Sequence, residues 1–303
     1  MRRAVADPGA RFIDPTALAR IGNLELIART VVDGFVAGLH RSPYLGLSLD
    51  FAEYRAYMPG DDVRRVDWRL YARTDRYYVK EYEAETNADF VAVLDVSRSM
   101  GYGSGGITKL DYARYLAATL ACLSHRQRDR VGLIAFDDEV VERVPASARN
   151  YEVVLDAIGR LEAGRRGSLA GPLRRAAESL GRRGIVVVVS DFYEEPESAV
   201  AAVRQLRARG GDVIVFHVLD PAEIELPFDR AATFRDLESG EAIPVIPTEL
   251  RAQYRALVEA HTASLARLFA AEGIDYTRVS TASPLDHVLF RYLAARQKLM
   301  RVR

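Results

Sequence analysis

The chain has 303 residues, 49% of them hydrophobic, and its 42 lysines and arginines balance 42 aspartates and glutamates. That length buries a sizeable core as one large domain or two modest ones, and the balanced charge leaves no global field to recruit nucleic acid or an anionic membrane. The single cysteine, Cys122, excludes an internal disulfide framework and a thiolate-rich zinc site. Among Leu116, Leu120 and Leu123 at helical spacing, it reads as a small buried side chain rather than a nucleophile. The longest aliphatic run, Ile185–Val189, is far short of the roughly twenty apolar residues a membrane helix needs. The first residues lack the apolar core of a secretion signal, so a cytoplasmic protein is expected.

Residues 1–14 are expected to form a disordered tail. A helix is predicted to open at Asp14-Pro15, an N-cap followed by proline at the first helical position. It would carry Ile21, Leu24, Ile27, Val31 and Phe35 inward and end near Gly38. A turn, an extended segment and a second turn at Pro59-Gly60 follow. The next stretch fits a strand, from alternating Val66, Trp68 and Leu70, or a short helix opened by Asp61 and Asp62; "YYVKEYEAE" after it is extended. These elements make residues 15–88 an N-terminal helix and extended segment packing on a sheet domain that occupies 89–303.

From Asp89 onward apolar strands alternate with amphipathic helices. The strands lie in "FVAVLDV", "VGLIAF", "VVERVP", "GIVVVVSDF", "DVIVFHVLD" and "IDYTRVS", the helices near 110–127, 151–162, 170–181, 197–209, 248–272 and 285–298. This order predicts an α/β fold, a doubly wound, mainly parallel sheet with helices on both faces. The purely aliphatic "IVVVV" and "VIVF" suit central strands buried on both sides. A hairpin around Asp137-Asp138 supplies one antiparallel edge strand, and a second, near 233–246 and turning at Ser239-Gly240, is inserted beyond the sheet. In the 248–272 helix, Leu250, Tyr254, Leu257, Val258, His261, Leu265, Leu268 and Phe269 share one stripe, so His261 reads as a satisfied, partly buried histidine rather than a ligand.

One stretch stands out chemically. "VLDVSRSMGYG" ends an apolar strand on Asp95, Ser97 and Ser99, and "IVVVVSDF" ends another on Asp191. Ligands of open parallel sheets bind outside the carboxyl ends of strands, near the point where strand order reverses. Two carboxylates brought to one edge repel unless something positive lies between them, and with two hydroxyls beside them the set suits a hard cation. Ser and Asp are also the usual helix N-caps, so the triplet alone supports a cap and a metal site equally.

The order Asp-x-Ser-x-Ser, then a hydroxyl in "RRGSLAGPL", then an aspartate after an apolar strand resembles the von Willebrand factor type A domain and its metal-ion-dependent adhesion site. The resemblance implies that Asp95, Ser97, Ser99, Ser168 and Asp191 hold Mg²⁺ (or Mn²⁺ or Ca²⁺), the hydroxyls directly and the aspartates largely through water. Serine stands at 168 where that family has threonine. A second resemblance covers nearly the whole chain: "RAYMPGDDVRRVDW", "VLDVSRSM", "VVVVSDF" and "RDLESG" are similar to the domain of unknown function 58 family. It implies a type A-like fold and association with MoxR-type AAA+ ATPases. Many relatives carry membrane helices ahead of this block, and the present chain looks like a soluble member.

The segment Arg55–Asp75 is dense in pairable charges of both signs. It reads as a salt-bridged cover anchored by Trp68, or as a recognition surface for a protein rather than a nucleic acid. No enzyme emerges. "GYGSGGITK" lacks the phosphate-loop order and reads as a flexible strand-to-helix turn, the five histidines form no close ligand pair, and no G-x-S-x-G elbow is present. The leading expectation is a non-enzymatic, metal-dependent interaction module working with a MoxR-type ATPase on an unknown client protein. A Mg²⁺-dependent phosphoryl or acyl hydrolase and a structural scaffold with an empty site are the alternatives.

Overall fold

The computed structural model describes residues 14–41, 53–57, 66, 68, 70–71, 75–81, 88–181, 184–207 and 210–301. The expected tail over residues 1–13, the turn at Pro59-Gly60 and most of the charged segment lie outside the described residues. The chain divides into two compact units, one taking Asp33–Thr86 and the other Phe12–Val32 with Asn87–Arg303.

The predicted first helix is two. Asp14 caps α1 (Pro15–Leu18) by accepting from the Thr16 amide at 2.8 Å. The chain then turns through Gly22, whose φ of 67° lies in the left-handed region that glycine enters freely. A second cap, Asn23 Oδ1 accepting from the Leu26 amide at 2.9 Å, opens α2 (Leu24–Arg41). Sequence periodicity carries smoothly across this break, so only the glycine and asparagine betray it. Asp14 is the N-cap predicted for this helix, and so does not belong to the tail.

In the smaller unit, β1 (Glu53–Ala56) pairs antiparallel with β2 (Tyr78–Glu81). Residues 68, 70 and 71 are helical while Val66 makes a β-bridge, so the stretch holds part of each expectation. Tyr71 and Tyr77 stack with centroids 4.4 Å apart, and the Trp68 ring meets both edge-on. Trp68 is 55% exposed, and its described ring partners are Tyr71 and Tyr77.

The larger unit is built on a six-stranded sheet of order β10-β7-β6-β3-β4-β5. Its strands are β3 (Asp89–Asp95), β4 (Arg130–Phe136), β5 (Val140–Ser147), β6 (Gly184–Ser190), β7 (Asp212–Leu219) and β10 (Asp275–Ser280). All neighbours are parallel except β4 and β5, the hairpin predicted at the edge. β3, β6 and β7 are buried from their second residue onward, as strands covered on both faces must be. Alternation along β3 sorts its side chains: Val91 and Val93 join one core cluster with Leu173, Val203, Leu265 and Phe269, while Phe90 meets Tyr292 edge-on on the other face.

The covering helices fall where predicted: α3 (Lys109–Arg126), α4 (Tyr151–Arg160), α5 (Ala170–Ser179), α6 (Pro196–Arg207), and, after a short unpredicted α7 (Pro221–Glu225), α8 (Pro247–Ala271) and α9 (Leu285–Arg301). Cys122 is buried in α3. The apolar stripe of α8 is buried at Leu265 and Phe269 but open at Leu250 and Leu257, so only its C-terminal half serves the core. β8 (Ala232–Arg235) and β9 (Ala242–Val245) form the inserted hairpin as a sheet of their own. Among the described residues no helix is long and apolar enough to cross a membrane.

Strand order fixes where a site belongs. From β3 the chain moves to β4 and β5 on one side, then returns to β6 on the other, so the order reverses between β3 and β6. Their carboxyl ends diverge into separate loops and leave a crevice. Asp95 ends β3, and Asp191 directly follows β6.

Candidate metal centre

All five predicted residues line one cleft of about 690 Å³ at this switch point: Asp95, Ser97, Ser99, Ser168 and Asp191. Two loops build it. After β3, the Val96 amide donates to the Phe136 carbonyl, and the Val96 carbonyl accepts from the Gly164 amide at 2.7 Å. The Arg98 amide then donates to the Arg165 carbonyl at 2.8 Å, so the second loop, which carries Ser168, is laced to the first. The two approach so closely at Gly167 that a Cβ there would stand 2.5 Å from the Cβ of Ser97. Ser168 sits exposed at the rim, while the other four are buried.

The Asp95 carboxylate is engaged on both oxygens. Oδ1 accepts from the Ser97 amide at 2.9 Å, and Oδ2 accepts from the Ser190 hydroxyl at 2.6 Å. Ser97 Oγ and Ser99 Oγ lie 3.1 Å apart. Ser97 holds the N-cap position of the one-turn 3₁₀ helix Arg98–Gly101, yet its side chain makes no capping hydrogen bond, and α3 takes its cap from Thr108 instead. The Ser97 hydroxyl is therefore not used as a helix cap.

Asp191 is approached from below by a residue that the sequence did not single out. Lys109, the first residue of α3, is fully buried and holds Asp191 Oδ2 and Glu223 Oε1, each at 2.7 Å. Its ammonium also faces the Tyr193 ring, 4.6 Å from the centroid, a cation–π contact. Burial pushes the Lys109 pKa down, but the two carboxylates outweigh it and hold the group above its ordinary value, so it stays charged. One ammonium does not balance this edge. Burial, then the charge of Asp191, push Asp95 up to about 7 against the hydrogen bonds from Ser190 and Ser97, the behaviour of paired carboxylates short of positive charge.

These residues fit a hard cation. Among the described residues no three His, Cys, Asp or Glu side chains converge as a ligand group. A cation here would rest on the Ser97, Ser99 and Ser168 hydroxyls with Asp191, an all-oxygen set of the kind Mg²⁺ accepts. Asp95, with Ser97 on one oxygen and Ser190 on the other, suits an indirect role. Ser190, Lys109 and Glu223 were missed because their partners lie tens of residues away. Lys109 offered one signal, a lysine at the capped start of an amphipathic helix. His261 behaves as expected: its Nε2 lies 2.9 Å from the Phe192 carbonyl, and it is partly buried. The glycine-rich loop, read as flexible, is tied down: the Ser104 amide donates to Asp220 Oδ2 at 2.9 Å.

The chain is similar to several known proteins. The profile of the family described as "Protein of unknown function DUF58" matches residues 53–264. "Uncharacterized protein Rv1480" of Mycobacterium tuberculosis is 31% identical over 94% of this chain and 91% of its own length. "Uncharacterized protein MAV169" of Mycobacterium avium is 28% identical over 52% of this chain and 95% of its own. Among solved structures, an aerotolerance-related membrane protein from Bacteroides fragilis matches with a TM-score of 0.48 at 20% identity, over 66% of this chain and 96% of that one. BatB from Bacteroides thetaiotaomicron matches with a TM-score of 0.48 at 18% identity, over 69% and 99%.

Proposed function

We propose that this chain, which belongs to the DUF58 family, is a non-enzymatic protein-interaction module whose sheet-edge site holds Mg²⁺ and captures an acidic side chain of a partner protein. The observation that carries the reading is the convergence of Asp95, Ser97, Ser99, Ser168 and Asp191 on one cleft at the switch point, with two buried carboxylates facing one another. Bound Mg²⁺ supplies a Lewis-acidic position that a partner's carboxylate can complete. The chain's own residues do the rest. Ser97, Ser99 and Ser168 present hydroxyls, and Asp191 presents the oxygen that Lys109 leaves free. Asp95, fixed by Ser190, holds the Ser97 amide and with it the turn on which both serines ride. The family resemblance makes a MoxR-type AAA+ ATPase the partner to test, with a client protein delivered to or remodelled by it.

Calorimetric titration of the purified chain with Mg²⁺ should show saturable binding that Ser99→Ala weakens by ~10-fold or more. Affinity purification in magnesium should retain the cognate MoxR-type ATPase and lose it on chelation. Retention unchanged by chelator and by Asp95→Ala would sink the metal-dependent mechanism.

A further inference from the structure

The inserted hairpin reaches into the site with a carboxylate of its own. Its turn is held by hydrogen bonds through Asp236. The Asp236 amide donates to the Glu241 carbonyl at 2.8 Å, Asp236 Oδ1 accepts from the Glu238 amide at 2.8 Å, and Asp236 Oδ2 accepts from the Ser239 hydroxyl at 2.6 Å. Gly240, with a φ of 78°, closes it. Glu238 is thereby aimed at the cleft, where Oε1 accepts from the Ser99 amide at 2.7 Å and Oε2 from the Gly167 amide at 2.8 Å. Those amides belong to the two loops that carry the hydroxyls, one on each side of the site. The grip is possible because Gly167 has no side chain in the space that Ser97 fills. Two backbone N–H groups converging on one carboxylate form a cradle for an anion, and the anion in it is the chain's own.

We infer that Glu238 is a tethered occupant of the place where a partner's acidic side chain binds, so that the β8–β9 hairpin competes with the partner and must yield to it. This rests on the proposed capture of a carboxylate, and it adds the cradle, its two amides and the internal competitor. A tethered group acts at a high effective concentration, so the hairpin sets a threshold that weak acidic ligands do not pass. The ligand class follows from the cradle: a monocarboxylate on a flexible stem, as in a protein's Glu or Asp.

The test is a titration of the full chain with acetate in magnesium buffer, followed in ¹H–¹⁵N spectra at the Ser99 and Gly167 amides. Glu238→Gln keeps the length but turns an amide donor towards one N–H of the cradle. Glu238→Asp keeps the charge and withdraws it by one methylene, and serves as a second variant. Glu241→Gln, on the same hairpin but exposed, is the control. Both Glu238 variants should respond at acetate concentrations ~10-fold lower than the wild type and the control. Equal responses in all four proteins, or none in any, would overturn the inference. Repeating the titration with chelator separates the two readings. Shifts that persist in the variants uphold the cradle and count against the metal, whereas shifts lost with the metal support both.

Discussion

Asp95 and Asp220 occupy equivalent places in one sheet, at or just past the carboxyl ends of parallel strands, and both are buried. They have opposite fates. Asp220 is surrounded by donors: the Ser104 amide at 2.9 Å, the Ala222 amide at 2.8 Å, the Thr281 hydroxyl at 3.3 Å and the Ser104 hydroxyl. It caps α7 in a capping box with Glu223 and pins the glycine-rich loop. Asp95 accepts from Ser97 and Ser190 and faces a second carboxylate. Position at the carboxyl edge therefore does not make a ligand site. A buried carboxylate surrounded by its own donors is architecture; the Asp95–Asp191 pair is where the proposed cation would act.

Substitutions can break this contrast or sharpen it. Lys109→Met should have the largest effect, a loss of about 3–5 kcal/mol in urea or thermal unfolding, because it strands Asp191 and Glu223 without their buried partner. Magnesium should restore part of that loss if a cation can stand in for the ammonium. Asp220→Asn comes next, at about 2–3 kcal/mol, since its new NH₂ would face a donor that now meets an acceptor. It should leave Mg²⁺ affinity unchanged by calorimetry. The same exchange at Asp95 has the opposite sign in metal-free buffer, a gain of about 1 kcal/mol. Asparagine still accepts from the Ser97 amide and removes one of two facing charges, a gain that outweighs the acceptor lost by the Ser190 hydroxyl, whose oxygen already accepts from the Phe192 amide. Its Mg²⁺ affinity should fall by ~10-fold. If Asp95→Asn and Asp220→Asn destabilised the chain equally, the distinction between site and cap would be lost. Smallest is Ser104→Ala, at about 1 kcal/mol, with no change in metal binding.

The sequence carried the sheet, because its signals are local: "IVVVV" has no other use than a central strand, and Asp137-Asp138 marks a hairpin. Asp95, Ser97, Ser99 and Asp191 were legible because they stand at or just after strand ends, where such a fold concentrates chemistry, whereas Ser168, between two helices, was singled out only through the family resemblance. Glu238, Lys109 and Ser190 were not legible, because a partner 139, 82 or 95 residues away leaves no trace in spacing. "RDLESG" was visible as a turn, but nothing in it shows that its glutamate leaves the hairpin. The break between α1 and α2 was missed because Ile21 and Leu24 keep helical spacing across a glycine that does not.

Gly167 contributes no side-chain atom, yet the loops can approach only because it has none. Any larger residue there meets the Cβ of Ser97 at 2.5 Å, and with the neighbouring loops hydrogen-bonded in place the strain falls on the serine. Alanine at 167 should therefore act at a distance, turning Ser97 away from Ser99 and shifting the amide that grips Glu238. In a library of random variants this position should tolerate as little as the serines themselves, while the exposed Ser168 beside it accepts threonine.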